Sequence, residues 1–350
     1  MSCIVDTGVP EFPFEEERKN IELQLKWYHR LAMRLMGSGN LPQHVAFIMD
    51  GNRRYARGQN LGHVSEGHKK GASKLYEVNI LFLFEPNNHV LILFTKQIID
   101  SLMEMGIKEI TVYAFSIENF KRPVGEVSDL LTLIKMKLLE FQKENKHGIR
   151  VIGDIEVLPK EFQTVVAEMA LYPHRNDYTS FLNIAVGYTS RAEMTAAIND
   201  MNWGAINGYL RNDDINDTLL ESCLWTAASP PVDLVFRSSG EVRLSDFLLW
   251  QTGYSPLIFE EALWPEMQLR HMIKAFLKYQ RYNDIIQEAK RRHYQNRELK
   301  EQLNFTQSSF QETQSYIEYQ TEKKTRINNF LNKLYDRRRN RLKEILATVQ

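Results

Sequence analysis

Short apolar runs that stop at small or polar residues, alternating with longer stretches of helical character, limit what this chain can fold into. The runs are His44 to Met49, Glu109 to Phe115, Ile149 to Ile152, Phe181 to Val186, Val232 to Phe236 and Leu257 to Phe259, rich in Val, Ile and Phe. Helical periodicity occupies Gly125 to Asn145, Glu161 to Leu171, Arg191 to Ile206 and Ile215 to Trp225. Parallel neighbours need crossover connections, so the alternation argues for an α/β fold: a roughly six-stranded, mostly parallel sheet flanked by helices. At 350 residues, 43% hydrophobic and 25% charged, the chain can build one sizeable domain plus an appendage.

Several function classes recede on composition. The formal net charge is zero, so no global field favours nucleic acid, and any anion site has to be local. Cys3 and Cys223 are the two cysteines, which gives no disulfide framework and suits a reducing compartment. No uninterrupted apolar stretch reaches a membrane-spanning length, and the acidic N-terminal segment is unlike a signal peptide, so membrane contact is expected to be peripheral. Glu15 to Met36 reads as an amphipathic helix with Ile21, Leu25, Tyr28, Leu31 and Leu35 on one face; it either packs on its own domain or lies at a bilayer surface, as Trp27 and the nearby basic residues would favour.

The chemistry concentrates where the first run stops. His44 to Met49 ends at Asp50-Gly51-Asn52 before a basic helix start, Arg53-Arg54. The carboxyl end of a parallel strand followed by a helix N-terminus is a place where anions bind. Gly51 lets the backbone approach a phosphate, Asn52 hydrogen-bonds, Arg53 and Arg54 supply forked donors, and Asp50 is left to hold a divalent metal. These parts suit a Mg2+-diphosphate site, the alternative being a bare Asp-Gly turn beside a solvated basic helix. A second constellation spans Val235 to Gln251. A strand ends at Arg237, Ser238-Ser239-Gly240 forms a small turn, Arg243 follows, and Ser245 is placed to cap a helix over Asp246 to Gln251. Arginines and a helix N-terminus on one spot suit a second diphosphate, with no metal carboxylate on the turn; a capped surface helix with unrelated arginines is the alternative.

The first segment closely resembles the signature of the cis-prenyltransferase family, whose bacterial members usually read H-V-A-x-I-M-D-G-N-G-R-W. Arg53 and Tyr55 replace the usual Gly and Trp, as in the eukaryotic members that make dehydrodolichyl diphosphate. Gly67-His68-Lys69-Lys70-Gly71 is similar to the family's G-H-x-x-G element, Ser116 to Arg122 to its S-x-E-N-x-x-R element, and Arg237 to Gln251 to its R-x-S-G-E-x-R-L-S-x-F-L-x-W-Q element. The resemblance implies that Asp50 serves Mg2+ and Arg53 and Arg54 the allylic diphosphate, with His68 nearby. It places Ser116, Asn119 and Arg122 beside the reacting carbons and gives Arg237, Arg243 and Ser245 to isopentenyl diphosphate. The implied activity is condensation of isopentenyl diphosphate onto an allylic, farnesyl-type diphosphate, with a growing chain housed between helices and sheet. Long-chain dehydrodolichyl diphosphate, for dolichol and protein glycosylation, is the implied product. The alternative is a non-catalytic scaffold subunit of the same complex, a class that lacks the Asp and the signature arginines. A haloacid dehalogenase-type phosphatase would need a second Asp where Asn52 stands.

Departures from the family pattern narrow the subfamily. Val64 stands where an Arg is frequent, and Pro256 where bacterial members carry a metal-binding Glu, a position the eukaryotic catalytic subunits also lack. Arg341 to Gln350 contains no R-x-G triplet, which many homomeric members use to complete the site. The resemblance therefore implies a Nogo-B-receptor-like regulatory subunit acting in trans and holding the pair on the cytosolic face of the endoplasmic reticulum membrane. By composition the chain divides into residues 1–40, a catalytic unit over 41–280 and a charged helical arm over 281–350. Leu331, Leu334, Leu342 and Ile345 need a surface to bury against, so the arm is expected to dimerise.

Residues 78–97, VNILFLFEPNNHVLILFTKQ, fit none of this and are read as a translated, retained intron. Glu85-Pro86-Asn87-Asn88 breaks a helical face begun by Ala72, Leu75 and Tyr76. Joining Glu77 to Ile98 restores the face, putting Ile98, Leu102 and Met105 three, seven and ten positions after Leu75. The ends accommodate splice signals, since Glu can be GAG, Val begins with GT and Gln can be CAG. A genuine apolar hairpin is the alternative, and it would expose an aggregation-prone patch. Tryptic mapping of the native protein is expected to yield LYEIIDSLMEMGIK; finding only peptides that contain VNILFLF would end the idea.

Overall fold

The structure, a computed structural model, describes residues 40–52, 54–55, 98–173, 175, 177–307 and 315–348. The amphipathic stretch 15–36, Arg53, His68 and the 78–97 segment lie outside them. The elements are β1 (His44–Ile48), β2 (Glu109–Ser116), α1 (Val124–Glu144), β3 (Gly148–Ile152), α2 (Lys160–Leu171), β4 (Phe181–Tyr188), α3 (Ser190–Ile206), α4 (Asp217–Cys223), β5 (Leu234–Arg237), β6 (Leu257–Phe259), α5 (Leu269–Gln307) and α6 (Tyr316–Ala347). The sheet has the order β3-β4-β2-β1-β5-β6, and its pairings are all parallel rather than mostly so. All carboxyl ends therefore lie along one edge. The chain leaves β1 toward β2 on one side, while β5 pairs on the other, so the crevice beyond β1 and β5 is the topological switch point where α/β sheets bind ligands.

Strand β1 is buried along its whole length because both faces carry a core. Val45 and Phe47 enter the larger one with Leu102, Ile110, Phe236, Trp264 and Phe276. Ala46 and Ile48 face the smaller, with Tyr188, Val235, Phe247 and Leu248. Residues 98–104 are helical, with Ile98 and Leu102 buried and Met105 half-buried. The expected helix over Asp246 to Gln251 does not form. Instead Ser245, Asp246 and Leu248 adopt left-handed backbone at φ 52°, 59° and 48°, each costing about 1–3 kcal/mol in a residue that is not glycine. Tertiary packing overrides the local signal here, since Phe247 and Leu248 are fully buried against the sheet.

The C-terminal arm differs from expectation in a second way. Helix α5 crosses the compositional boundary near 281 without a break, its first turns buried through Met272, Ala275, Phe276 and Tyr279. Helix α6 then packs on its own chain, where Phe330 and Leu334 join Ala197, Met201, Leu219 and Cys223 in a third core. Gly204 admits the Phe330 ring, for a Cβ there would sit 2.4 Å from it. Arg326 clasps buried Asp214 at 2.8 Å, and Arg338 reaches Asp200 at 2.7 Å. Leu334 and Ile345 thus find their surface within the chain, where a dimerisation arm was expected.

Candidate active site

The turn after β1 and the turn after β5 are built as one unit. Ser238 Oγ accepts from the Asp50 amide at 3.0 Å and donates to the Asp50 carbonyl at 2.8 Å. The Trp264 amide donates to that carbonyl too, at 3.0 Å. Gly51 is required twice over: its φ is +97°, and a Cβ would stand 2.7 Å from the Leu263 side chain and 3.0 Å from Ser239 Cβ. Beyond it, Tyr55 N donates to Gly51 O at 2.9 Å, closing the first turn of the helix that carries Arg54. Asn52 closes the turn through Nδ2 on the Met49 carbonyl at 3.4 Å.

Arg237 joins the two turns. Its side chain is 3% exposed; Nη2 donates to Asp50 Oδ2 at 2.7 Å, and Nη1 donates to Ser245 Oγ at 2.8 Å and to the Arg243 carbonyl. Burial pushes the Asp50 carboxyl upward, but the Arg237 guanidinium and the Gly51 amide outweigh it and hold the group below the usual carboxylate range. Asp50 is therefore an anion at neutral pH. Arg54 and Arg243, both solvent-reaching, share Glu241: Arg54 Nη2 lies 3.6 Å from it and Arg243 pairs with its other oxygen. Among the described residues, Arg237 Nε is buried without a hydrogen-bond partner, a spare donor of the kind an anion satisfies.

The end of β2 contributes a third group. Ser116 Oγ accepts from Glu118 N at 3.2 Å, and Asn119 Oδ1 accepts from Ser116 N at 2.9 Å, so these two side chains cap one short 3-10 turn and hold each other. Arg122 pairs with Glu126 at 2.9 Å. Tyr113 links this group to the β5 side. Its hydroxyl reaches the carbonyls of Tyr188 at 3.1 Å and Ser245 at 3.3 Å, and its ring stacks on Phe247. Burial pushes the phenol up to about 12, against the pull of the Ser116 side chain and the Arg237 charge. The structure thus brings together Asp50, Gly51, Asn52, Arg54, Arg237, Arg243 and Ser245, with Ser116 near Tyr113; Asn119 and Arg122 are bonded within their own turn and helix start. Glu241, Ser238 and Tyr113 escaped sequence reasoning. Glu241 was legible as the one acid between Arg237 and Arg243, whereas Ser238 and Tyr113 act through contacts that no spacing reveals.

Residues 92–287 match the family model described as "Putative undecaprenyl diphosphate synthase". The chain belongs to the cis-prenyltransferase family. This cis-prenyltransferase is 39% identical over 297 residues to the dehydrodolichyl diphosphate synthase complex subunit of Homo sapiens, covering 83% of this chain and 82% of that one. It is 38% identical to a tritrans,polycis-undecaprenyl-diphosphate synthase (geranylgeranyl-diphosphate specific) of Picrophilus torridus, over 69% of this chain and 88% of the relative. Among solved structures it resembles lavandulyl diphosphate synthase from Lavandula x intermedia, determined with dimethylallyl diphosphate. The TM-score is 0.58 at 27% identity, over 69% of this chain and 95% of that one. The chain is a transferase that elongates cis-prenyl chains, the catalytic reading that the family match and the relatives support over that of a mere scaffold.

The Asp50 pairing decides how its role is tested. Alanine there would strand a buried guanidinium, which costs about 3–5 kcal/mol in comparable pairs. Asp50→Asn keeps one carbonyl acceptor, for Arg237 Nη2, with its amide nitrogen turned to the Gly51 side, and removes the charge. Its circular dichroism is expected to match wild type while prenyl transfer at saturating Mg2+ falls at least about a hundredfold. Wild-type turnover would remove Asp50 from the site.

Proposed function

We propose that this cis-prenyltransferase condenses isopentenyl diphosphate onto a farnesyl-type allylic diphosphate, using Mg2+, to make long-chain dehydrodolichyl diphosphate. The observation that carries the reading is Arg237, a buried guanidinium shared between the Asp50 turn and the Ser245 turn, with exposed Arg54 and Arg243 meeting on Glu241 beside it. Two anion cradles separated by one side chain suit two diphosphates whose reacting ends must meet.

In the reaction, the isopentenyl double bond attacks C1 of the allylic substrate, the C1–O bond breaks with its electron pair leaving on the diphosphate, and a proton is lost from the isopentenyl unit to form the new double bond. Arg54 holds the leaving diphosphate; Arg53 and His68, which lie outside the described residues, are assigned to the same substrate on the family resemblance alone. Arg243 and Ser245 hold the isopentenyl diphosphate, and Arg237 stabilises charge on both. Ser116, Asn119 and Arg122 orient the reacting carbons from the end of β2. Each charge-assisted contact contributes about 1.5–3 kcal/mol, so loss of one arginine lowers activity roughly ten- to a hundredfold.

The donor set suits Mg2+. Among the described residues no three His, Cys, Asp or Glu side chains gather as a cage, and Asp50 is a single ionised carboxylate in an anion-binding crevice. A magnesium ion held by Asp50, diphosphate oxygens and water fits that arrangement. When bound, it supplies charge neutralisation for the departing diphosphate. Half-buried Leu130, Ile134 and Phe141 of α1 pack against the larger core, and the growing chain is proposed to run between helices and sheet.

The word "complex" in the relatives' names supports a second chain. A Nogo-B-receptor-like subunit is the proposed partner, and the endoplasmic reticulum membrane the proposed location, with peripheral contact. Among the described residues no helix is long and apolar enough to cross a membrane. Incorporation of labelled isopentenyl diphosphate is expected to need Mg2+ and to rise at least about tenfold when the partner is added. Full activity from the purified chain alone, unchanged by the partner, would defeat the partnership.

A further inference from the structure

The turn that presents Ser245 is held from one side by the first residues of α3. Thr189 caps that helix itself, accepting from Ala192 N at 3.3 Å, so the Ser190 hydroxyl is not consumed by the helix end. Ser190 is 1% exposed, and both of its polar backbone and side-chain groups that face the turn are engaged. Its amide donates to the Asp246 carbonyl at 2.8 Å, and its Oγ accepts from the Leu249 amide at 2.8 Å. Arg191 adds a fork: its amide reaches Asp246 Oδ1 at 3.3 Å and its Nε reaches Oδ2 at 2.8 Å. Deeper in the helix, Glu193 accepts from Gln251 at 2.8 Å, which ties down the far end of the same segment.

Of these grips, those of Ser190 and Arg191 fall on Asp246, itself in left-handed backbone, and on Leu249, next to left-handed Leu248; Ser245, the third such residue, adjoins Asp246. A strained turn keeps its shape only while its surroundings over-determine it. The shape matters because it sets the Ser245 hydroxyl on Arg237 and aims the Arg243 carbonyl at the same guanidinium. No grip from α3 falls on the Asp50 turn among the contacts named above.

We propose that Ser190 is a positioning residue for the isopentenyl diphosphate cradle, acting with Arg191 through the Ser245 turn and not touching substrate. The proposal rests on the assignment of Ser245 to that substrate. Removing the hydroxyl leaves the Leu249 amide without its buried acceptor and lets the turn relax, so the cradle loses its preorganised geometry while the allylic side keeps its own.

The test uses the full chain with its partner subunit and measures KM for each substrate separately, with kcat. Ser190→Ala is expected to raise KM for isopentenyl diphosphate about tenfold, leaving allylic KM and saturated kcat within about twofold of wild type. Arg191→Ala, on a mostly exposed side chain that tolerates loss, is expected to shift the same KM in the same direction by about threefold. A fall in kcat or active fraction with unchanged KM values, or equal shifts for both substrates, would overturn the proposal. Should Ser190→Ala fail to fold, an unchanged isopentenyl KM in Arg191→Ala overturns it equally. Failure of the underlying assignment looks different, because Ser245→Ala would then leave the isopentenyl KM unchanged.

Discussion

The contact between Arg237 and Asp50 is the constraint on which the rest depends. The Arg237 guanidinium, almost wholly removed from water at the end of β5, takes its counter-charge from Asp50 in the turn after the neighbouring strand β1. Parallel pairing of β1 with β5 fixes Ile48 opposite Arg237, which sets the two turns side by side. Ser238 then stitches the Asp50 backbone to the β5 turn, and the segment after β6 closes over both through Trp264. Fold and site are thus the same set of bonds at this edge of the sheet.

That arrangement gives the cradles a shared logic. Each arginine already carries an acid: Asp50 for Arg237, and Glu241 for Arg54 and Arg243. The acids offset repulsion among the cationic groups and hold them in place, and in the proposed reaction a diphosphate replaces Glu241 while Asp50 keeps Arg237. The exposed Glu241 pairs are weakly held and easily exchanged, whereas the Arg237 contact is shielded from solvent and persists. Strain in the Ser245 turn belongs to the same economy of preorganisation, since a hydroxyl fixed in place needs no reorganisation when charge arrives.

Much of this was legible in the residues. The apolar runs named the strands of the sheet to within a residue or two, because both faces of a parallel sheet are covered and its strands read as continuous apolar stretches. The Asp50 and Arg237 turns were legible as places where charge stands just after a strand. What could not be read was contact across the fold: that Asp50 is the partner of Arg237, and that Tyr113 bridges two strand ends. The Asp246 to Gln251 segment misled for a definite reason. Its Ser-Asp start and apolar residues mimic a capped helix, yet Phe247 and Leu248 are both drawn into the core, and that pull wins. Helix α6 misled in a similar way, for spaced leucines announce that a surface is needed without saying whose it is.

The central claim is that two diphosphates bind on opposite sides of Arg237, one under Arg54 and the other under Arg243. Separate KM determinations for the two substrates, with Arg54→Ala and Arg243→Ala compared in the complete complex, test it most directly. The account predicts that Arg54→Ala weakens the allylic diphosphate alone and Arg243→Ala the isopentenyl diphosphate alone, each by roughly ten- to a hundredfold. Loss of the same substrate in both variants, or of neither, would contradict it.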